Sequence, residues 1–189
     1  MTIVCAVKDP AGGVWIGSDS RVTGGHGFIA PVTFKKWRQV GNLWVGVCGH
    51  ARLFQLFGYP GPDPTAALFA EYLRERVRGE GWKDDERSTR GGPPDMGGGA
   101  IIVDKESVHE LTPGGVLVDY GDELCAIGSG CEYALGAWSA TRDPVPRPLS
   151  MVKAIDAAMR YDQDCGGQRW IIRVNAPDLF APDAPVPDA

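Results

Sequence analysis

The chain has 189 residues, 43 % hydrophobic and 23 % charged, with a formal net charge of −5. That is enough to bury one domain's core, and the sign argues against nucleic acid, whose phosphates need a basic face. No apolar run approaches the roughly 20 residues that span a bilayer, the N-terminus lacks the basic stretch and apolar core of a secretory signal, and five cysteines without C-x-x-C spacing indicate a reducing, cytoplasmic setting rather than a zinc knuckle or redox pair.

Residues 3–8 and 13–18 read as two strands joined by the turn Asp9-Pro10-Ala11-Gly12. Residues 36–40 and 43–48 form a second hairpin turning at Gly41-Asn42, and 51–57 a short helix ended by the breaker-rich 58–62. Asp63 can cap the next helix, with Pro64 at its first position; Leu68, Phe69, Tyr72, Leu73 and Val77 follow as an apolar stripe at helical spacing. Residues 84–99 are polar and rich in Gly and Pro, as expected of a long flexible loop. A third hairpin occupies 100–103 and 107–111, and a strand at 123–127 leads into Gly128-Ser129-Gly130. Helices are expected from about Glu132 and over 149–161, then a closing strand at 168–174. The order suggests an α+β fold: two sheets stacked face to face between helical layers, a four-layer αββα sandwich whose buried sheet faces account for the apolar strands. One domain is expected over 1–175, with 176–189 a Pro/Asp/Ala-rich disordered tail.

Loss of the initiator Met1 would make Thr2 the first residue, with a hydroxyl nucleophile and a free α-amine on one residue. Taken singly, the remaining candidates have plain readings. Asp19 and Arg21 make a surface ion pair, Lys35-Lys36 a solvated pair of which one can face inward, and Ser129 a helix cap. His26, His50 and His109 show no spacing for a metal or a Ser/His pair.

Four segments in order resemble proteasome β-type subunits and their bacterial relatives, which are N-terminal-nucleophile hydrolases. They are Thr2-Ile3-Val4-Cys5; Gly17-Ser18-Asp19-Ser20-Arg21-Val22-Thr23; Thr33-Phe34-Lys35-Lys36-Trp37 with Val47-Cys48-Gly49; and Ala126-Ile127-Gly128-Ser129-Gly130-Cys131-Glu132-Tyr133-Ala134. The resemblance implies a threonine-type peptidase. Thr2 Oγ would attack a carbonyl carbon with the α-amine as base, and Lys36, held charged by Asp19, would favour the nucleophilic form. Gly49 would offer its N–H to the oxyanion, and Ser129 would orient the amine. Asp162 and Cys165 fall where the family has an Asp and a Ser near the nucleophile; Asp164 competes for the aspartate role, and the thiol is a weaker partner than a hydroxyl. Val22, Phe34, Val47 and Ala51 would line an apolar pocket for the side chain before the scissile bond, while Thr23, Gly49 and Ala51 would pair with an extended peptide. The resemblance further implies a peptide or unfolded-protein substrate, a homo-oligomeric ring or related assembly, a possible ATP-dependent unfoldase, no metal or organic cofactor, and a bacterial or phage-infected bacterial cytoplasm. A catalytically silent assembly subunit and a small-molecule amide hydrolase share the same fold expectation.

Overall fold

A computed structural model describes residues 2–23, 34–59, 61–79, 96–143 and 145–174. Met1, Thr33, the expected loop up to residue 95 and the expected tail lie outside these residues.

Strand β1 (Val4–Lys8) pairs antiparallel with β2 (Val14–Asp19), with Val4 opposite Ser18. The next strands are β3 (Trp37–Val40), β4 (Leu43–Val47), β5 (Ala100–Val103), β6 (Val108–Leu111), β7 (Leu117–Asp119), β8 (Cys125–Ile127) and β9 (Arg169–Arg173). They make two sheets, one ordered β8-β1-β2-β9 and the other β3-β4-β5-β6-β7. A 3-10 helix (Ala51–Leu56) follows β4; α1 (Ala66–Gly79), α2 (Cys131–Thr141) and α3 (Arg147–Tyr161) complete the chain.

Three packed clusters define the layers. Val4, Ala6, Ile16, Trp37, Ile101, Val103 and Ile172 fill the space between the sheets. The alternate residues Ile3, Cys5 and Val7 face Trp138 of α2 and Met151, Ile155 and Ala158 of α3. On the far side Val45, Val47 and Ile102 pack on Phe69, Leu73 and Val77 of α1. Both faces of the central strands are therefore buried, and the order of layers is α, β, β, α, as expected. The sheets approach closely at Gly46, where an added Cβ would stand 2.6 Å from Val4 Cγ1.

The departures are local. Thr65, not Asp63, caps α1: its Oγ1 accepts the Leu68 N–H at 3.2 Å. The buried stripe is Ala66, Phe69, Ala70, Leu73 and Val77, with Leu68 outside it at 57 % exposed. Helix α3 starts at Arg147, ahead of the expected 149, because Pro148 suits the first turn. Strand β7 was not expected; three half-buried or exposed residues carry no periodic signal. The strand expected over 123–127 narrows to Cys125–Ile127. The end of the expected loop is also ordered: Met96 is buried, and the Gly97 and Gly99 carbonyls accept bonds from the chain after β4.

Candidate active site

The two central strands bring the chain start to Asp19. Because Val4 pairs with Ser18, Thr2 and Ile3 lie beside the end of β2, where the Asp19 N–H donates to Ile3 O at 3.3 Å. The 128–130 turn after β8 fits tightly against Thr2: an added Cβ on Gly128 would fall 2.1 Å from Thr2 O, and the Gly130 N–H reaches that oxygen at 3.4 Å.

Asp19 is fully buried and its carboxylate accepts five hydrogen bonds. Oδ1 takes Thr2 Oγ1 at 2.9 Å, the Ile3 N–H at 3.0 Å and Lys36 Nζ at 2.6 Å. Oδ2 takes the Gly166 N–H at 3.0 Å and the Arg21 N–H at 3.2 Å. The Lys36–Asp19 ion pair is enclosed, with the lysine side chain only 6 % exposed. Burial pushes the Lys36 ammonium below the ordinary lysine value, against the opposing pull of Asp19. Lys35 takes the other course: it is exposed, with its ammonium 4.5 Å from the Trp170 ring centroid and 5.4 Å from that of Trp37. Arg21 makes no side-chain ion pair with Asp19, contrary to the plain reading of that doublet; only its backbone N–H reaches the carboxylate.

Gly49 follows β4 and is exposed, with φ of +93°, a conformation that suits glycine. The flanking Cys48 and His50 N–H groups donate to Gly99 O and Gly97 O, each at 3.0 Å. Among the described residues the Gly49 N–H has no acceptor. An added Cβ on Gly49 would stand 2.3 Å from Gly97 O, and one on Gly98 2.1 Å from Cys48 O. The two backbones interlock, and sequence reasoning missed Gly97 and Gly98; their glycine run was legible only as loop.

The third wall comes from the end of α3. Asp162 is the C-cap residue; its Oδ1 accepts the Asp164 N–H at 2.9 Å and its Oδ2 the Cys165 thiol at 3.3 Å. Burial raises its pKa, but Ser129 and these two donors outweigh it and hold the carboxyl below the usual aspartate value. Ser129 Oγ is itself buried and points its hydroxyl towards Asp162, short of good hydrogen-bonding geometry. It does not cap α2, whose N-cap is Gly130 with no side-chain bond. The Cys165 thiol is pushed up to about 12, first by burial and then by Asp19 and Asp162, and so stays a protonated donor. Asp164 contributes only its N–H to this group.

Of the candidate pocket residues, Val22 and Thr23 are half-buried, and Phe34 is 40 % exposed and packed edge-on against Phe54 with ring centroids 4.8 Å apart. Val47 is only 4 % exposed and belongs to the α1-side core. Ala51 opens the 3-10 helix. Phe54 joins Phe34 as an aromatic pair that the sequence did not single out. Among the described residues no group of three or more His, Cys, Asp or Glu is disposed to hold a metal. A cavity of about 250 Å³ beside α1, lined by Glu71, Arg74, Val77, Arg78, Met96, Gly114 and Gly115, shares no residue with the cluster.

No family model matches the chain. It is 26 % identical over 174 residues to the ATP-dependent protease subunit HslV of Geobacillus kaustophilus, covering 86 % of this chain and 89 % of that protein. Among solved structures it resembles Thiobacillus denitrificans BPH, with a TM-score of 0.70 and 16 % identity over 93 % of this chain and 100 % of that one. The same protein in complex with epoxomicin gives 0.71 and 17 % over 92 % and 100 %. The eukaryotic HslV from Trypanosoma brucei gives 0.65 and 19 % over 90 % and 98 %. The chain is thus similar to a curated HslV along most of both chains and shares its fold with these solved structures.

Proposed function

We propose that this chain is a threonine-type peptidase whose nucleophile is Thr2 once Met1 has been removed. One observation carries the reading: a single buried carboxylate, Asp19, holds both the Thr2 hydroxyl and the Lys36 ammonium. Thr2 Oγ attacks the substrate carbonyl carbon and its proton passes to the free α-amine. The Lys36 cation lowers the proton affinity of the neighbouring amine and hydroxyl. The Gly49 N–H, which has no acceptor among the described residues, would donate to the developing oxyanion. The protonated amine then gives its proton to the leaving amine, and water cleaves the resulting ester by the same route. Ser129, whose Oγ is buried beside Asp162, is suited to bond the freed amine, with Asp162 and Cys165 behind it. Phe34 with Val22 favours an apolar side chain before the scissile bond, and Thr23, Gly49 and Ala51 would supply backbone pairing to an extended peptide.

The curated relative is named as a subunit of an ATP-dependent protease. That supports a homo-oligomer enclosing its sites, an ATP-driven unfoldase as partner and unfolded protein as substrate. Five free thiols suit a reducing cytoplasm.

The test uses epoxomicin, which one structural neighbour binds, with a fluorogenic peptide panel and intact-mass measurement. The expected result is a chain lacking Met1 that cleaves peptides and gains one inhibitor mass on Thr2, with both signals lost in Thr2→Ala at unchanged Tm. Wild-type hydrolysis by Thr2→Ala would sink the mechanism. The alternative, a silent assembly subunit, turns on the Met1–Thr2 bond: with Met1 retained, the amine belongs to residue 1 and Thr2 lacks its base. Labelling by the inhibitor without cleavage of any peptide favours a small-molecule amide hydrolase.

A further inference from the structure

Arg21 stands one residue beyond Ser20 at the end of β2, and its side chain turns away from Asp19. Nη1 donates to Gln163 O at 2.8 Å. The guanidinium lies over Gly166: an added Cβ there would stand 2.5 Å from both Cζ and Nη2 of Arg21 and 2.8 Å from Nε. The surrounding bonds run between the same two segments. The Ser20 and Arg21 N–H groups donate to Gly166 O at 3.2 and 2.9 Å, the Gly166 N–H to Asp19 Oδ2 at 3.0 Å, and the Gln168 N–H to Ser20 Oγ at 2.7 Å. The segment so held carries Asp162 and Cys165, whose side chains bond each other. Cys165 is fully buried, with Sγ 2.9 Å from where a Gly130 Cβ would lie.

We propose that Arg21 is a positioning residue that clamps the 162–167 loop onto the end of β2 and thereby holds Asp162 and Cys165 on the Ser129 side of Thr2. The clamp needs a planar cation. A flat guanidinium covers a residue without a side chain and still reaches a carbonyl three residues earlier, which an ammonium cannot do at once. Its catalytic meaning rests on Thr2 being the nucleophile; its structural meaning does not.

The test compares wild type, Arg21→Lys and Arg21→Met in the full chain. N-ethylmaleimide labelling of the native protein, followed by peptide mass mapping, reads the loop directly. Arg21→Met is expected to label at Cys165 about tenfold faster, through local opening, while Cys5 beneath α3 stays protected. Arg21→Lys should fall between. On a peptide substrate, Arg21→Met should lose about a hundredfold in kcat, the scale of a misplacement near 1 Å, with KM little changed. Equal acceleration at Cys5 and Cys165 would mean a general loss of stability and overturns the clamp, as does unchanged Cys165 labelling. If Arg21→Met does not fold, Arg21→Lys decides by the same criteria. A wild type that cleaves nothing overturns the proposed peptidase, while the labelling ratio still decides the clamp.

Discussion

At the residue scale the site is organised by one buried anion with five donors. Removing one charge of a buried pair leaves the other uncompensated, at a cost of about 3–5 kcal/mol. Lys36→Ala is therefore expected to lower stability by about that amount, read as a shift in the urea midpoint, and to slow acylation at least about a hundredfold. Lys35→Ala, which removes an exposed cation packed on two indoles, should leave acylation within about twofold and cost about 0.5–1 kcal/mol. A reversed pattern would show that the wrong lysine had been placed beside Thr2. Gly49→Ala meets two obstacles, a positive φ and a contact of 2.3 Å with Gly97 O. The expected outcome is a loss of about 10²–10³ in kcat from displacement of the oxyanion donor, measured on the same peptide.

At the element scale the β5–β6 turn is a self-contained test of local chemistry. Asp104 accepts the Glu106 N–H at 2.8 Å, the Ser107 N–H at 2.7 Å and the Ser107 hydroxyl at 2.8 Å. Burial alone would raise its pKa; these three bonds win and lower it below 3.8. A carboxyl whose folded pKa is depressed contributes stability in full above its unfolded value, and that contribution is lost as pH falls through the folded value. Asp104→Asn should therefore be destabilised by about 1–2 kcal/mol at pH 7, with the gap to wild type narrowing below pH 3.8 in acid denaturation series. Thr65→Ala should cost about 1 kcal/mol as a lost helix cap, with Asp63→Ala nearly silent; the opposite ranking would restore Asp63 to the role its sequence position suggests. These elements also mark what the sequence reveals. Alternating or continuous apolar strands, the glycine turns and the α1 stripe carry the periodicities that burial imposes, so the sandwich was legible. Strand β7 was not, because its side chains bury too little to leave a pattern. Nor was the order of 96–99, whose glycines pack backbone on backbone and leave no side-chain signature. The cap moved from Asp63 to Thr65 because both residue types cap helices, and only the path of the chain selects between them. Within the site, Asp19, Lys36 and Gly49 were visible through motif resemblance, whereas the clamp role of Arg21 depends on a loop more than 140 positions away.

At the scale of the whole molecule, the outer face of α2 and α3 leaves large apolar side chains in the open: Tyr133 at 47 %, Leu135 at 42 %, Leu149 at 48 % and Tyr161 at 62 % exposed. Tyr133 and Tyr161 also meet across the two helices, with ring centroids 6.0 Å apart. A chain of the proposed assembly type is expected to run in light scattering at several times its 20.3 kDa mass. A monomer at working concentration would remove the enclosed chamber from the proposal.

The fit of Thr2 into the 128–130 turn has a consequence for timing. The Thr2 residue is 4 % exposed, and its carbonyl is engaged by Gly130. An aminopeptidase must draw the bond before Thr2 into its own cleft, which is easiest while the first strand is still unpaired. If Thr2 acts as proposed, methionine excision is expected on the nascent chain, ahead of strand pairing. Folded protein that has kept Met1 should resist methionine aminopeptidase and yield to it only after denaturation. The fraction of competent enzyme would then be fixed by a race at the ribosome rather than by any later equilibrium.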